Sequence, residues 1–329
     1  MSGIDYFLFD GREKPAARLN LTATATKKCD SPKRCVSAQL NQRELMSSIP
    51  GSDIRILNPE AKTGRIRTVL FDFDGTISIL RQGWQGIMEQ VMLESICAGS
   101  RPTTLVRDTV RDYIEESTGV QTIVQMEKLV EMVHRFGRVP RQEIGDAGHY
   151  KQIFNNRLLE PVNRRIAQLS EGTRSAESFM VAGAADFCRE LAGRGLTLML
   201  ASGTDVENVR HEAAVLGVDS LFKGGIYGAT GSMATYSKAK LIAELMEQHH
   251  FTGPELLVVG DGPVEIALAR EHNTLSVGVA SDEVSGQGWN EDKISRLIGA
   301  GCDLLVSDFR QRGILIRHLM QMQQSPSAT

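Results

Sequence analysis

No stretch of this chain approaches the roughly 20 consecutive apolar residues that a membrane span requires. No sign of charge dominates either: 37 Lys and Arg stand against 40 Asp and Glu, a net charge of −3. The first absence argues against a membrane-spanning helix. The second gives no reason to expect a nucleic acid or a membrane surface as partner. Cysteine is scarce: Cys29, Cys35, Cys97, Cys188 and Cys302 are odd in number and scattered. That distribution fits reduced thiols in a cytoplasmic protein better than a disulfide framework. Cys29 and Cys35 have no Cys/His pair nearby, so the spacing of a zinc site is missing. The first residues are acidic and aromatic rather than a basic stretch followed by an apolar core, and no secretory signal is expected.

What is present is an ordinary globular composition. The chain has 329 residues, 41% hydrophobic and 23% charged, enough for a large core and two domains. Residues 1–64 lack sustained periodicity and read as an extension, flexible or loosely packed against the main body. The basic cluster Lys27, Lys28, Lys33 and Arg34 reads as a solvated loop. Residues 66–72 read as a buried strand. From about 84 to 169 the apolar spacing turns helical, with Met88, Val91, Met92 and Ile96 on one face and Ile123, Val124, Leu129, Val130 and Val133 on another. From 180 onward helices at 181–193, about 205–216, 238–249 and 263–272 alternate with strands at 196–200, 256–259, 274–279 and 303–306. Such alternation predicts a doubly wound parallel α/β sheet with helices on both faces. Because the first strand lies before the helical stretch, the domains are an α/β core at 65–80 and 180–329 interrupted by an all-helical insertion at 81–179.

Chemistry concentrates at strand ends. The octet Phe71-Asp72-Phe73-Asp74-Gly75-Thr76-Ile77-Ser78 follows the apolar run Val69-Leu70-Phe71, so both carboxylates leave a strand at its carboxyl edge, where open α/β sheets bind ligands. One carboxylate can attack an electrophile while the other moves protons. Leu200-Ala201-Ser202-Gly203-Thr204 places hydroxyls and free amides before a helix, which suits an anion or a simple N-cap. Lys238 opens a helix against its dipole, with Lys240 as a competing candidate. Val258-Val259-Gly260-Asp261-Gly262-Pro263-Val264-Glu265 ends a strand in Gly-Asp-Gly with a second acid four residues on. Asp72 and Asp261 together offer the oxygen ligands that Mg²⁺ prefers.

The order acid pair, hydroxyl, lysine, acid resembles the haloacid dehalogenase-like hydrolase superfamily, over roughly residues 66–310. The resemblance implies a Rossmann-like core with an inserted helical cap, and the phosphatase branch of the family, similar to phosphoglycolate phosphatases. It implies Asp72 as nucleophile and Asp74 as general acid and base. Thr76, Ser202, Gly203 and Lys238 would bind phosphate, and Asp72, Asp74, Asp261 and Glu265 would hold Mg²⁺. The step of 23 residues from Lys238 to Asp261 looks like that of phosphoserine phosphatases and favours Lys238 over Lys240. Glu265 departs from the commoner aspartate. Arg81 and Trp84 lie where a hinge and flap are expected. Thirteen basic and thirteen acidic residues between 80 and 180 make a neutral cap, suited to small phosphorylated metabolites. The expected activity is Mg²⁺-dependent hydrolysis of a small phosphomonoester, a sugar phosphate or phosphoglycolate-like compound. The alternatives are a phosphomutase of a sugar phosphate and a catalytically reduced protein that only binds a phosphometabolite.

Overall fold

Thr68–Phe71 is buried along its whole length, as a strand covered on both faces must be, and it forms the middle of the sheet. A computed structural model of the chain describes residues 47–230, 237–248 and 252–321; the expected extension up to residue 46, with the basic cluster Lys27–Arg34, lies outside them. Eight strands are described: β1 (Ser47–Ser48), β2 (Arg55–Ile56), β3 (Thr68–Phe71), β4 (Thr197–Asp205), β5 (Ile226–Ala229), β6 (Leu256–Gly260), β7 (Leu275–Val279) and β8 (Leu304–Val306). Their order is β1-β2-β8-β7-β6-β3-β4-β5. The six strands from β3 to β8 pair in parallel, whereas β1 and β2 add antiparallel pairs at one edge.

Between strands of this sheet run α5 (Ala184–Gly193), α6 (Val206–Val215), α7 (Lys238–Gln248), α8 (Pro263–Glu271) and α9 (Glu291–Ala300), and α10 (Arg312–Leu319) follows β8. Val69 and Phe71 face the cluster that holds Phe187 and Phe309, while Leu70 faces one built with Ile242 and Leu245. Period-two alternation along one strand thus feeds two helical layers. Residues 47–64 differ from the expectation of a loose extension: β2 hydrogen-bonds along β8, and Ile49 and Ile54 are buried in the main core. A two-residue strand carries almost no local signal, because its partner lies some 250 positions away in the chain (Arg55 against Leu305).

Between β3 and α5 lie four helices, α1 (Trp84–Cys97), α2 (Thr104–Glu116), α3 (Thr122–Phe136) and α4 (Ala147–Ser170). They enclose a separate apolar cluster that includes Met88, Ile96, Val110, Met126, Leu129 and Phe154. The chain enters and leaves this module side by side: the Ile79 amide donates to Phe179 O at 2.9 Å and the Val181 amide to Ile77 O at 2.9 Å. Arg165 on α4 ties the neck from above, donating to Leu80 O at 2.5 Å and Gln82 O at 3.2 Å. Cys97, Cys188 and Cys302 are buried free thiols. Among the described residues no helix is long and apolar enough to cross a membrane.

Candidate active site

The central strand β3 has β4 on one side and β6 on the other, so the connections diverge there and leave a crevice at the strand ends. Asp72 follows β3 directly, and its amide donates to Val259 O at 2.8 Å. The chain then turns at Gly75, whose φ is +77°. A Cβ at Gly75 would collide with the Asp261 carboxylate, so glycine is required for both its backbone and its lack of a side chain. The turn brings Asp74 under the end of β4, where Ser202 Oγ and Thr204 Oγ1 donate to its Oδ2 at 3.1 and 3.2 Å. Asp74 Oδ1 is buried with no hydrogen bond and lies 3.6 Å from Arg81 Nε.

Behind this pair is a buried charge network. Lys238, at the first turn of α7, donates to Asp72 Oδ1 at 2.6 Å and Glu265 Oε2 at 3.1 Å. Thr76 is fully buried, and its hydroxyl is 3.4 Å from Asp72 Oδ2. Lys293 on α9 bridges Asp261 Oδ2 at 2.6 Å and Glu283 Oε1 at 2.8 Å. Arg81 grips Glu212 of α6 with Nε at 3.1 Å from both carboxylate oxygens and Nη2 at 2.6 Å. Burial pushes the Asp72 carboxyl well above its ordinary range, against the pull of Lys238. Burial likewise raises Asp261 to about 6, against Lys293.

Such an acid cluster is suited to a cation. Oxygens of Asp72, Asp261 and Glu265 all lie within 4.8 Å of one another. Mg–O distances of about 2.1 Å place ligands of one octahedron within about 4.2 Å of each other, so small side-chain adjustments suffice and the residues fit a hard divalent ion. Glu265 is the constrained member: Oε1 accepts from the Gly262 amide at 2.9 Å and Oε2 from Lys238.

In front of the network opens a cleft of about 580 Å³, open to solvent. Asp72, Asp74, Ser202, Gly203 and Asp261 line it, whereas Thr76, Lys238 and Glu265 stand behind these residues. The helical module closes its other side with Trp84, Phe154, Leu158 and the Thr118–Val120 loop between α2 and α3. The loop sits tight on the α/β body. A Cβ at Gly203 would come within 2.8 Å of Val120 O, and one at Gly119 within 2.6 Å of Glu265 Oε2. Sequence reasoning singled out Arg81 and Trp84 but missed Glu212, Lys293 and Gln125. Glu212 and Lys293 did carry a signal, since each interrupts the apolar face of its helix beside Val209 and Ala213, or Ile294 and Leu297.

Comparisons agree with this fold. A family model of haloacid dehalogenase-like hydrolases matches residues 66–273. Comparison with curated protein sequences gives no match. Among solved structures, the chain is similar to a predicted phosphoglycolate phosphatase from Haemophilus somnus, at 14% identity and TM-score 0.53, covering 77% of this chain and 98% of that one. It is also similar to a predicted phosphatase from Clostridium acetobutylicum, at 14% identity and TM-score 0.50, covering 77% and 99%. A protein described as a β-phosphoglucomutase from Bacteroides vulgatus matches at 15% identity and TM-score 0.50, covering 79% and 90%. At these identities the structures speak for the fold alone. The family match spans more than half of the sequence and includes the Asp72, Ser202, Lys238 and Asp261 segments, and on that ground the chain belongs to the haloacid dehalogenase-like hydrolases.

Proposed function

We propose that this hydrolase is a Mg²⁺-dependent phosphatase of small organic phosphomonoesters. The observation that carries the reading is the division of labour between two neighbouring carboxylates. Asp72 is buried against Lys238 at the floor of the cleft. Asp74 has one oxygen held by two hydroxyls and the other without a hydrogen bond. An Asp72 oxygen attacks the phosphorus, forming an aspartyl-phosphate as the ester P–O bond breaks, and Asp74 gives its proton to the departing oxygen. A water then attacks the same phosphorus, Asp74 takes its proton, and the bond to Asp72 breaks to release inorganic phosphate.

The Gly203 amide grips a phosphoryl oxygen, Ser202 joins it when its hydroxyl turns from Asp74 to the phosphoryl group, and Lys238 offsets the charge. Thr76 orients the Asp72 carboxylate from behind. Asp72, Asp261 and the Asp74 backbone carbonyl would hold Mg²⁺, with Glu265 steadying Lys238 and the Gly262 turn. The ion supplies the positive charge that lets one anion approach another. The helical module acts as a cap that excludes bulk water and contributes substrate contacts. The buried free thiols favour a reducing cytoplasm as the setting.

The test is phosphate release from a phosphoester panel with Mg²⁺, with EDTA, and with Asp72→Asn. Release that requires Mg²⁺ and disappears in Asp72→Asn supports the reading. Undiminished release by Asp72→Asn overturns the mechanism, and an isomerised sugar phosphate formed only with a bisphosphate activator would identify a mutase instead.

A further inference from the structure

Beyond the phosphoryl site, three polar side chains lining the cleft, Gln125, Thr118 and Thr204, have their donors already committed. Gln125 on α3 is 3% exposed and lines the cleft. Its Nε2 donates to Ser117 O at 3.2 Å and to Ser117 Oγ at 3.0 Å. A carbonyl can only accept, so this fixes which end of the amide faces Ser117. Oε1 is left pointing the other way, and among the described residues it accepts no hydrogen bond. Thr118 Oγ1 donates to Ile114 O at 3.3 Å, and Thr204 Oγ1 donates to Asp74. Both therefore present lone pairs rather than protons to a ligand. Arg81 is the one cation among the described lining residues, and its Nε and Nη2 are taken by Glu212. Trp84, Val120, Phe154 and Leu158 supply apolar surface.

We infer that Gln125, with Thr118 and Thr204, selects a leaving group that is uncharged and rich in hydroxyl donors, as a sugar is, and disfavours one that carries a second carboxylate or phosphate. The inference rests on the phosphatase reading and narrows its substrate. A hydroxyl satisfies Gln125 Oε1, while the C–H faces of a sugar cover the apolar wall. At Gln125 Oε1, Thr118 and Thr204 a second carboxylate brings acceptors to acceptors, close to the Asp74 carboxylate and to a cation already paired with Glu212. A site built to receive a hydroxyl loses heavily when the ligand lacks one, because its own buried groups stay unpaired.

Two measurements decide it. In the first, kcat/KM of the intact protein is compared for hexose and pentose monophosphates against 2-phosphoglycolate and 3-phosphoglycerate. Sugar phosphates should be favoured by about tenfold or more. Gln125→Met, which keeps the volume and removes the acceptor, should lower kcat/KM for sugar phosphates about tenfold more than for p-nitrophenyl phosphate. A thermal unfolding scan checks that this variant is folded. Carboxylated substrates equal to or better than the sugar phosphates would overturn the inference, as would equal losses on both classes in Gln125→Met. The second measurement is calorimetric binding of the same phosphoesters to Asp72→Asn with Mg²⁺, which needs no turnover. Tighter binding of sugar phosphates supports the inference, and equal or tighter binding of 2-phosphoglycolate overturns it. Absence of phosphate release from every compound by the native protein would sink the phosphatase reading alone, since the binding order still decides what the cleft selects.

Discussion

The α/β body and the helical module handle charge in opposite ways. In the body, Asp72, Lys238, Asp261, Glu265 and Lys293 are all buried and joined at the carboxyl ends of β3 and β6 and the first turns of α7, α8 and α9. In the module the interior is apolar, and the ion pairs Arg111–Glu89, Lys128–Glu131, Arg157–Glu94 and Arg164–Glu160 sit on the outside. Buried ion pairs recover little net stability after desolvation, whereas removing one partner leaves an isolated charge and is costly. Exposed pairs are worth little in either direction. The body therefore buries a cluster of charge at its strand ends in addition to its exposed pairs, whereas these pairs of the module lie at its surface.

Substitutions can break this contrast or sharpen it. The largest effect is expected at Asp74→Asn. Turnover should fall by about 10² to 10⁴, the usual contribution of a general acid or base, while phosphate binding, followed by calorimetry, largely persists. Glu212→Gln removes the hydrogen-bonded counter-charge of the buried Arg81 guanidinium and leaves it only the Asp74 carboxylate at 3.6 Å. The cost expected is about 3–5 kcal/mol, read as a lowered urea midpoint. Leu129→Ala opens a void in the apolar interior of the module, and a loss of about 2–5 kcal/mol is expected. If the module unfolds separately, protease cleavage between residues 84 and 170 should rise before the α/β body loses protection. Glu94→Gln removes an exposed partner of Arg157 and should cost less than about 1 kcal/mol. A loss as large as that at Glu212 would erase the distinction between the two regions.

The legible parts of the fold were those whose signal is local. Val69-Leu70-Phe71, Leu257-Val258-Val259 and the strand ending at Val279 are buried on both faces, so unbroken apolar runs announce them. Ile226–Ala229 was not expected, because Gly224, Gly225 and Gly228 break its pattern. A Cβ at Gly224 would meet Met199, and one at Gly228 would come within 2.6 Å of Thr204 O; close packing against β4 explains the glycines only once β4 is in place. The same division holds in the site. Asp72, Asp74 and Asp261 follow strands directly and could be read from the sequence. Gln125 and Thr118 reach the cleft, and Glu283 reaches Lys293, through tertiary packing of loops and helices, and no spacing in the chain reports that.

The paired neck has a consequence for how such a chain can change. Ile79 and Val181 hold the two ends of the helical module on neighbouring hydrogen bonds with Phe179 and Ile77. At its backbone ends the insertion is therefore a single closed gap between adjoining segments, whatever its length, and its other ties to the body are contacts such as Lys151 with Asp205 and Val120 against Gly203. The chemistry downstream of β3 is framed by the Asp72 amide bond to Val259 and the Gly75 turn, neither of which touches the insert. The module is in that sense interchangeable: a different helical hairpin or bundle whose ends meet at the same spacing could be spliced there, giving the same two carboxylates a new clientele.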